Sequence, residues 1–119
     1  MNRSRSTTVT QMPTASVSNT PVTAIVEVPD IGGQGKMDVY AVVSRNGNGT
    51  ATLKVEGGFD SAAATVLEVQ AAASAGTGAL TLVADGKSNK YTYLKYTLTP
   101  SGNNGATEWL TAKVYLVTY

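Results

Sequence analysis

The side chains of this sequence that could do chemistry are its carboxylates, because the chain has no histidine and no cysteine. Those two residue types carry most acid–base, thiol and transition-metal chemistry at neutral pH. The acidic residues are Glu27, Asp30, Asp38, Glu56, Asp60, Glu68, Asp85 and Glu108. A glycosidase needs two carboxylates that face each other across a cleft, whereas most of these lie at outward strand positions or in predicted turns. The sequence therefore predicts no catalytic residue and no enzyme activity.

Other kinds of site are no better supported by the sequence. Calcium needs only oxygen ligands, but no D-x-D-x-D-G spacing occurs among the aspartates. The glycine-rich segment 32–35 lacks the G-K-[ST] ending of a phosphate-binding loop, and no helix is predicted after it. A serine or threonine nucleophile would need a base, and the chain has neither histidine nor a local lysine dyad. We expect no cofactor and no metal.

The charge balance excludes several classes of partner. Nine basic and eight acidic residues give a net charge of +1, which argues against a nucleic-acid or membrane-surface binder. No apolar run approaches the ~20 residues of a transmembrane helix, and no apolar segment follows the first arginines as in a signal peptide. Charged residues make up only 14% of the chain, and a surface poor in charge resists self-association weakly. We expect either that the protein is buried in an assembly or that its hydroxyl side chains are enough to prevent self-association.

From Val22 onward the apolar residues recur with a period of two, which is typical of half-buried strands. The predicted strands cover residues 22–28, 37–44, 50–56, 62–75, 79–84, 90–99 and 107–119. Segment 62–75 is ambiguous, because its alanines favour a helix. Asn46-Gly47 predicts a hairpin turn that makes strands 37–44 and 50–56 antiparallel neighbours. About seven strands with frequent turns predict an all-β fold, either an antiparallel β-sandwich or a jelly-roll-like barrel.

Residues 1–21 differ in composition from the predicted single domain at 22–119. They are rich in serine and threonine, contain two prolines, and hold too few apolar residues to offset the entropy of ordering. We predict an extended N-terminal arm with a basic tip at Arg3 and Arg5. It is either a frayed tail or an arm that becomes ordered only against a neighbouring subunit.

The last predicted strand has apolar or aromatic side chains on both faces. Leu110, Ala112, Val114 and Leu116 share one face, and Trp109, Thr111, Lys113, Tyr115, Val117 and Tyr119 share the other. Tyr91 and Tyr93 are expected on the outward face of the preceding strand, next to this second group. Tyrosine and tryptophan are enriched at protein interfaces, so the predicted partner contacts are Arg3, Arg5, Tyr91, Tyr93, Trp109, Tyr115 and Tyr119. There are three alternatives. A loop or arm of the same chain covers this face, the aromatic rings stack on sugar rings, or the rings only stabilise the sheet through cross-strand pairing.

Three segments carry a resemblance to a known group of proteins. GTATLKVEGG (49–58), YTYLKYTLT (91–99) and TAKVYL (111–116) resemble strands of the small β-sandwich virion proteins of tailed bacteriophages, including capsid decoration (cement) proteins. The resemblance covers residues 22–119. It implies a non-enzymatic structural role on a particle, homo-oligomers that are often trimers, and sometimes an arm that reaches a neighbour.

The leading hypothesis is therefore a decoration protein that binds and stabilises a lattice of major capsid protein and also contacts copies of itself. It would be made in the host cytoplasm and reside on the virion surface, with no nucleic-acid or membrane partner. The second hypothesis is a head- or tail-fibre module that binds host carbohydrate through exposed aromatic side chains. A small hydrolase ranks last.

Overall fold

The computed structural model describes residues 5–15, 19–29, 33–60, 68–75, 80–103 and 107–119, with the backbone alone described for 68–75. The strands are β1 (Ser6–Gln11), β2 (Val22–Glu27), β3 (Lys36–Arg45), β4 (Thr50–Gly58), β5 (Glu68–Ala75), β6 (Thr81–Ser88), β7 (Tyr93–Ser101) and β8 (Leu110–Thr118). The described residues include no helix long and apolar enough to cross a membrane. The predicted all-β class is confirmed.

The strands form two four-stranded sheets, which we call sheet A and sheet B. Sheet A has the order β1-β8-β3-β6 and sheet B the order β2-β7-β4-β5, with antiparallel pairing throughout. Every connection except β4–β5 joins a strand of one sheet to a strand of the other. The two sheets enclose one hydrophobic core, so the predicted β-sandwich is confirmed at this level.

The core follows from the period-two alternation along each strand. The apolar inward residues of β8 are Leu110, Ala112, Val114 and Leu116, all fully buried as the sequence predicts. In sheet B the largest buried side chains are Leu53, Leu94, Tyr96 and Leu98. Full burial of one aliphatic side chain stabilises the fold by roughly 1.5–3 kcal/mol. Because each strand buries its apolar side, its other side must point outward.

The predicted hairpin between β3 and β4 is wrong, because the two strands lie in different sheets. A type I′ turn needs positive φ at both central residues, and among the described glycines only Gly35, Gly86 and Gly102 have it. Asn46 instead binds the segment before β8. Its side-chain oxygen accepts a hydrogen bond from the Trp109 backbone N–H (2.7 Å) and its amide donates one to the Thr107 carbonyl (2.8 Å). These hydrogen bonds hold the loop against the segment that precedes β8.

The N-terminal region also differs from the prediction of a separate arm over residues 1–21. Residues Ser6–Gln11 form β1 and pair with β8 of the same chain. Met12 and Ala15, which follow β1, are buried. The inward side chains of β1 are hydroxyl-bearing rather than apolar, so no hydrophobic alternation marks it as a strand. Its ladder of backbone hydrogen bonds holds it, and it is the eighth strand that the sequence did not predict.

One further prediction is confirmed in part, and one further boundary differs from expectation. Segment 68–75 is strand β5, as predicted, while 62–67 lies outside the described residues. The predicted turn at 85–89 lies mostly within β6, which continues to Ser88. Gly86 has a φ of 61° there, and the β3–β6 pairing shifts register between Met37 and Tyr40. A β-bulge therefore replaces the turn.

Replacing Tyr96 by phenylalanine should stabilise the protein. Tyr96 is fully buried, and its hydroxyl has no hydrogen-bond partner among the described residues. An unpaired buried polar group costs about 1–3 kcal/mol. We expect Tyr96→Phe to raise the free energy of unfolding by about 1 kcal/mol in urea denaturation at pH 7. Tyr93→Phe, on an outward position, should change it by less than about 0.5 kcal/mol.

The same variant should alter the alkaline limit of stability. Burial raises the pKa of Tyr96 above its ordinary value, so the unfolded chain loses this proton first. The part of the folding free energy that depends on this proton is fully present below the unfolded pKa of about 10 and is lost as pH rises toward the folded pKa. Tyr96→Phe should therefore lose stability less steeply above pH 10 than the wild type. A destabilised Tyr96→Phe, or parallel alkaline profiles, would contradict the assignment.

Candidate functional site

The outer face of sheet A carries a row of apolar and aromatic side chains that crosses all its strands. Val9 of β1 lies opposite Tyr115 of β8. Tyr115 lies opposite Tyr40 of β3, which in turn lies opposite Leu82 of β6. Val9 is 53% exposed and Leu82 is 44% exposed, while the two tyrosines are half-buried between them. We call Val9, Tyr115, Tyr40 and Leu82 the apolar row.

Local alternation turns the central members of the apolar row outward. Tyr115 lies between the buried Val114 and Leu116, and Tyr40 lies between the buried Val39 and Ala41. Because successive side chains of a strand point to opposite faces, each tyrosine must lie on the outer surface. Cross-strand aromatic and β-branched pairs stabilise a sheet by roughly 0.2–1 kcal/mol each, so the row also supports the fold.

The apolar row has charged residues on both sides. On one side Lys113 pairs with Val42, and on the other Asp38 pairs with Val117. Asp38 is held in place, because one carboxylate oxygen accepts hydrogen bonds from the Gly86 backbone N–H (2.7 Å) and the Tyr119 hydroxyl (3.0 Å). The patch is therefore apolar at its centre and polar at its rim, which is how protein interfaces are commonly built.

Tyr119 and Arg5 close one end of this face. The Arg5 guanidinium lies 5.8 Å from the centre of the Tyr119 ring, within the range of a cation–π contact. The hydrogen bond to Asp38 raises the pKa of Tyr119, with smaller contributions from desolvation and from the charges of Asp38 and Asp85, against a lowering by Arg5. The basic residue of the N-terminal region thus contacts an aromatic residue of the same chain.

Trp109 lies at the opposite end of the same face. Asn46 holds its backbone through the hydrogen bond to the Trp109 N–H, and the side chain is 38% exposed. A shallow groove beside it is lined by Gln11, Met12, Thr14, Trp109 and Thr111. The Gln11 amide donates to Thr111 Oγ1 (3.1 Å), and that hydroxyl donates to the Met12 carbonyl (2.8 Å). An indole next to an amide is a surface on which a sugar ring could stack.

The outer face of sheet B has a different character. Its described outward residues are mostly hydroxyl-bearing or charged: Thr23, Glu27, Thr52, Lys54, Tyr93, Lys95, Thr97 and Thr99. Glu56 alternates with Lys54 but is buried. Lys54 and Glu56 form an ion pair at 3.5 Å. Ile25, at the edge strand β2, is 39% exposed and lies opposite Lys95. The two outer faces therefore differ sharply in polarity.

The predicted group of aromatic residues is not one patch. β7 and β8 lie in different sheets, so Tyr93 is on sheet B, opposite Glu27 and Gly58. The expectation that Tyr91 points outward is wrong. Tyr91 is only 6% exposed, and its ring lies 5.3 Å from that of Phe59. The ring packs where Gly57 has no side chain.

The other predicted contacts have different locations. Trp109, Tyr115 and Tyr119 share the outer face of sheet A, as the alternation along β8 predicts, with Arg5 beside Tyr119. Arg3 lies outside the described residues. A cleft beside Tyr91 is lined by Glu27, Val28, Pro29, Asn89, Lys90, Tyr91 and Thr92. It is lined by mixed polar and apolar groups and lies away from the apolar row.

Sequence reasoning missed three members of the apolar row, namely Val9, Tyr40 and Leu82. Tyr40 alternates with apolar residues in β3, so its outward position was readable. Its proximity to Tyr115 was not, because that depends on β3 and β8 pairing across more than 60 intervening residues.

Comparison with protein families, curated proteins and solved structures found no match for this chain. Within the part of the chain that the structure describes, no three acidic side chains lie close enough together to hold a metal ion.

Removing the Asp38 carboxylate should lower the pKa of Tyr119. The hydrogen bond from the Tyr119 hydroxyl to Asp38 favours the protonated phenol, and the negative charge acts in the same direction. In Asp38→Ala we expect the Tyr119 ring resonances to titrate at lower pH than in the wild type, measured by NMR. Lys113→Ala, on the same face of β8, should leave that titration unchanged. An unshifted Tyr119 in Asp38→Ala would contradict the contact.

Proposed function

We propose that this chain is a non-enzymatic virion structural protein, a decoration protein that binds and stabilises a lattice of major capsid protein through the outer face of sheet A. The observation that carries the proposal is the contrast between the two outer faces. One has the apolar row with a polar rim, and the described part of the other is mostly hydroxyl-bearing and charged. A particle-bound protein needs one face that contacts its partner and another that contacts water. The difference in polarity between the outer faces of sheets A and B supports this assignment.

The strand order supports the more specific fold that the sequence predicts, a jelly roll. Double-sheet jelly rolls have eight strands arranged as two Greek keys, and they occur in viral capsid and lectin domains. Here two four-stranded sheets are connected so that the chain changes sheet at every connection except β4–β5. The first and last strands are neighbours in sheet A. The step from this order to a virion role is an analogy at the level of fold.

The dimensions of the apolar row suit a modest contact rather than a deep pocket. Adjacent strands are about 4.8 Å apart, so a row that crosses four strands is roughly 15 Å long. A patch of this kind buries a few hundred Å² at most, which gives weak binding for a single copy. On a lattice, many copies and more than one contact for each copy convert weak contacts into stable attachment.

The N-terminal region would contribute to assembly as a paired strand rather than as a free arm. We propose that β1, at the edge of sheet A, is the part of the arm that meets a neighbouring subunit while it remains paired with β8. Arg5 beside Tyr119 anchors its start. Copies of the same chain are thus the second partner, on the surface of the virion.

Charge placed on the apolar row should weaken capsid binding. We expect Leu82→Lys to bind at least about tenfold more weakly than wild type to capsids assembled without this protein by the phage whose genome encodes it, measured by co-sedimentation. Ile25→Lys is the matched control, because Ile25 is an exposed aliphatic residue on an edge strand of the other sheet. Wild type and Ile25→Lys should also raise the temperature at which the capsids disrupt.

Equal binding by Leu82→Lys and wild type would reject sheet A as the docking face. Loss of binding in Ile25→Lys alone would assign the contact to sheet B instead. Detection of the protein by immunogold microscopy on tails and not on heads would reject the decoration role.

A second candidate, from a different class, is a fibre or adhesin module that binds host carbohydrate. The groove beside Trp109 favours it, because an exposed indole next to Gln11 and Thr111 combines a stacking surface with polar groups. Jelly rolls also include lectin domains. The leading proposal and this one use different parts of the same face, so one set of variants separates them.

A glycan array decides between the two candidates. If the chain is a decoration protein, we expect no glycan to be bound by the wild type above the level seen with Trp109→Ala. Leu82→Lys serves as the control that leaves the groove intact. A glycan bound by wild type and Leu82→Lys but not by Trp109→Ala would favour the carbohydrate-binding function.

A further inference from the structure

We propose that two copies of this chain associate through β1, edge to edge, in an antiparallel pair with a two-fold axis at Val9. The pair would join two copies of sheet A into one continuous eight-stranded sheet. The dimer extends the contact between copies proposed above, and it would form in solution without the capsid.

Among the residues that the structure describes, nothing pairs with the outer edge of β1, which is a row of backbone donors and acceptors. Within the described residues, β1 pairs only with β8. The Met12 N–H donates to the Ala112 carbonyl at 2.8 Å, and hydrogen-bonded positions alternate along an antiparallel strand. Thr8 and Thr10 therefore direct their backbone groups to β8, as Met12 does. The backbone groups of Thr7, Val9 and Gln11 point away from β8 and are free to pair with another strand.

The edges of sheet A are protected unequally. Natural proteins discourage edge pairing with charges, bulges and prolines. The opposite edge strand, β6, has register shifts in its pairing with β3 and contains Asp85 and Lys87. The sequence of β1, STTVTQ, has no charge, no proline and no glycine, and its pairing with β8 runs without a register shift. The structure thus leaves one edge of sheet A suited to association.

The side chains of β1 select a second copy of the same strand. Antiparallel pairing must place outward residues opposite outward residues. The register centred on Val9 puts Val9 opposite Val9 and Thr7 opposite Gln11 of the second copy. No charges meet in this arrangement, because β1 has none. Since Val9 ends the apolar row, the two rows then join into one that crosses eight strands.

Edge strand β2 is one competing site, since it is also unpaired on one side among the described residues. Its central outward residue, Ile25, lies opposite Lys95, which pairs in turn with Glu56. Pairing at β2 would therefore join two short polar rows and extend no apolar surface. Glu27 and its copy would also lie within this second interface. These features favour β1.

Single cysteines test the register, because the chain has no cysteine of its own. In the proposed dimer the two Val9 Cα atoms form a hydrogen-bonded pair about 5.5 Å apart, which a disulfide can span. The two Thr7 Cα atoms would be four residues apart along the strands, roughly 13 Å, which a disulfide cannot span. Under mild oxidation we expect Val9→Cys to yield a covalent dimer and Thr7→Cys to remain monomeric on a non-reducing gel. A mixture of Thr7→Cys and Gln11→Cys should crosslink.

Sedimentation velocity provides the second arm of the test. We expect wild type to form dimers at micromolar concentration and Val9→Pro to be monomeric with an unchanged circular dichroism spectrum, because the proline removes only an N–H that β8 does not use. Ile25→Pro, on the competing edge, should still dimerise. Monomeric wild type at all concentrations, or equal crosslinking of Val9→Cys and Thr7→Cys, would overturn the proposal. Loss of the dimer in Ile25→Pro alone would move the interface to β2.

Discussion

The structure depends on the backbone pairing of β8 with β1 on one side and β3 on the other. β8 is the last strand of the chain, yet it lies inside sheet A, and its apolar inward residues Leu110, Ala112, Val114 and Leu116 are all fully buried. Its partner β1 begins at residue 6, so sheet A is complete only when the two ends of the chain have met. Such non-local pairing requires loop closure before any contact rewards it, which makes slow folding the expectation. Once formed, it places the outward side chains of β1, β8 and β3 in register across one surface.

Alternation along the chain could be read from the sequence, and pairing between strands could not. Inward and outward positions were correct in β8 because a period of two is a local property of extended backbone. The hairpin at Asn46-Gly47 was wrong because turn preference is worth little when Asn46 makes several hydrogen bonds to residues 107–109. β1 was missed because Ser6, Thr8 and Thr10 face inward, so no apolar period marks the strand. The same limit governs the site. Tyr115 was readable as outward, but its neighbours Val9 and Tyr40 come from strands distant in sequence.

The contrast between the outer faces follows from the same arrangement. The described residues of sheet B place mainly threonine and charged side chains outward, with Lys54 and Glu56 in contact. Sheet A aligns Val9, Tyr115, Tyr40 and Leu82 so that each lies next to another, which concentrates apolar area that would be unremarkable if scattered. This concentration of apolar area is the feature of sheet A on which the proposed docking rests.

Face docking and edge pairing use different directions of the same sheet, so they do not compete. Hydrogen bonds between edge strands lie in the plane of the sheet, whereas side chains of the apolar row stand perpendicular to it. Pairing through β1 would leave Tyr115, Tyr40 and Leu82 accessible and would double the length of the row. When two copies are joined, binding of the first to a repeating partner raises the effective concentration of the second, so that a contact too weak for one copy can hold the pair. In the proposed dimer the two-fold axis passes between the two Val9 residues, so the apolar rows of the two copies meet there. The sheet edge that most small β-proteins must protect would then lie at the centre of the combined binding surface.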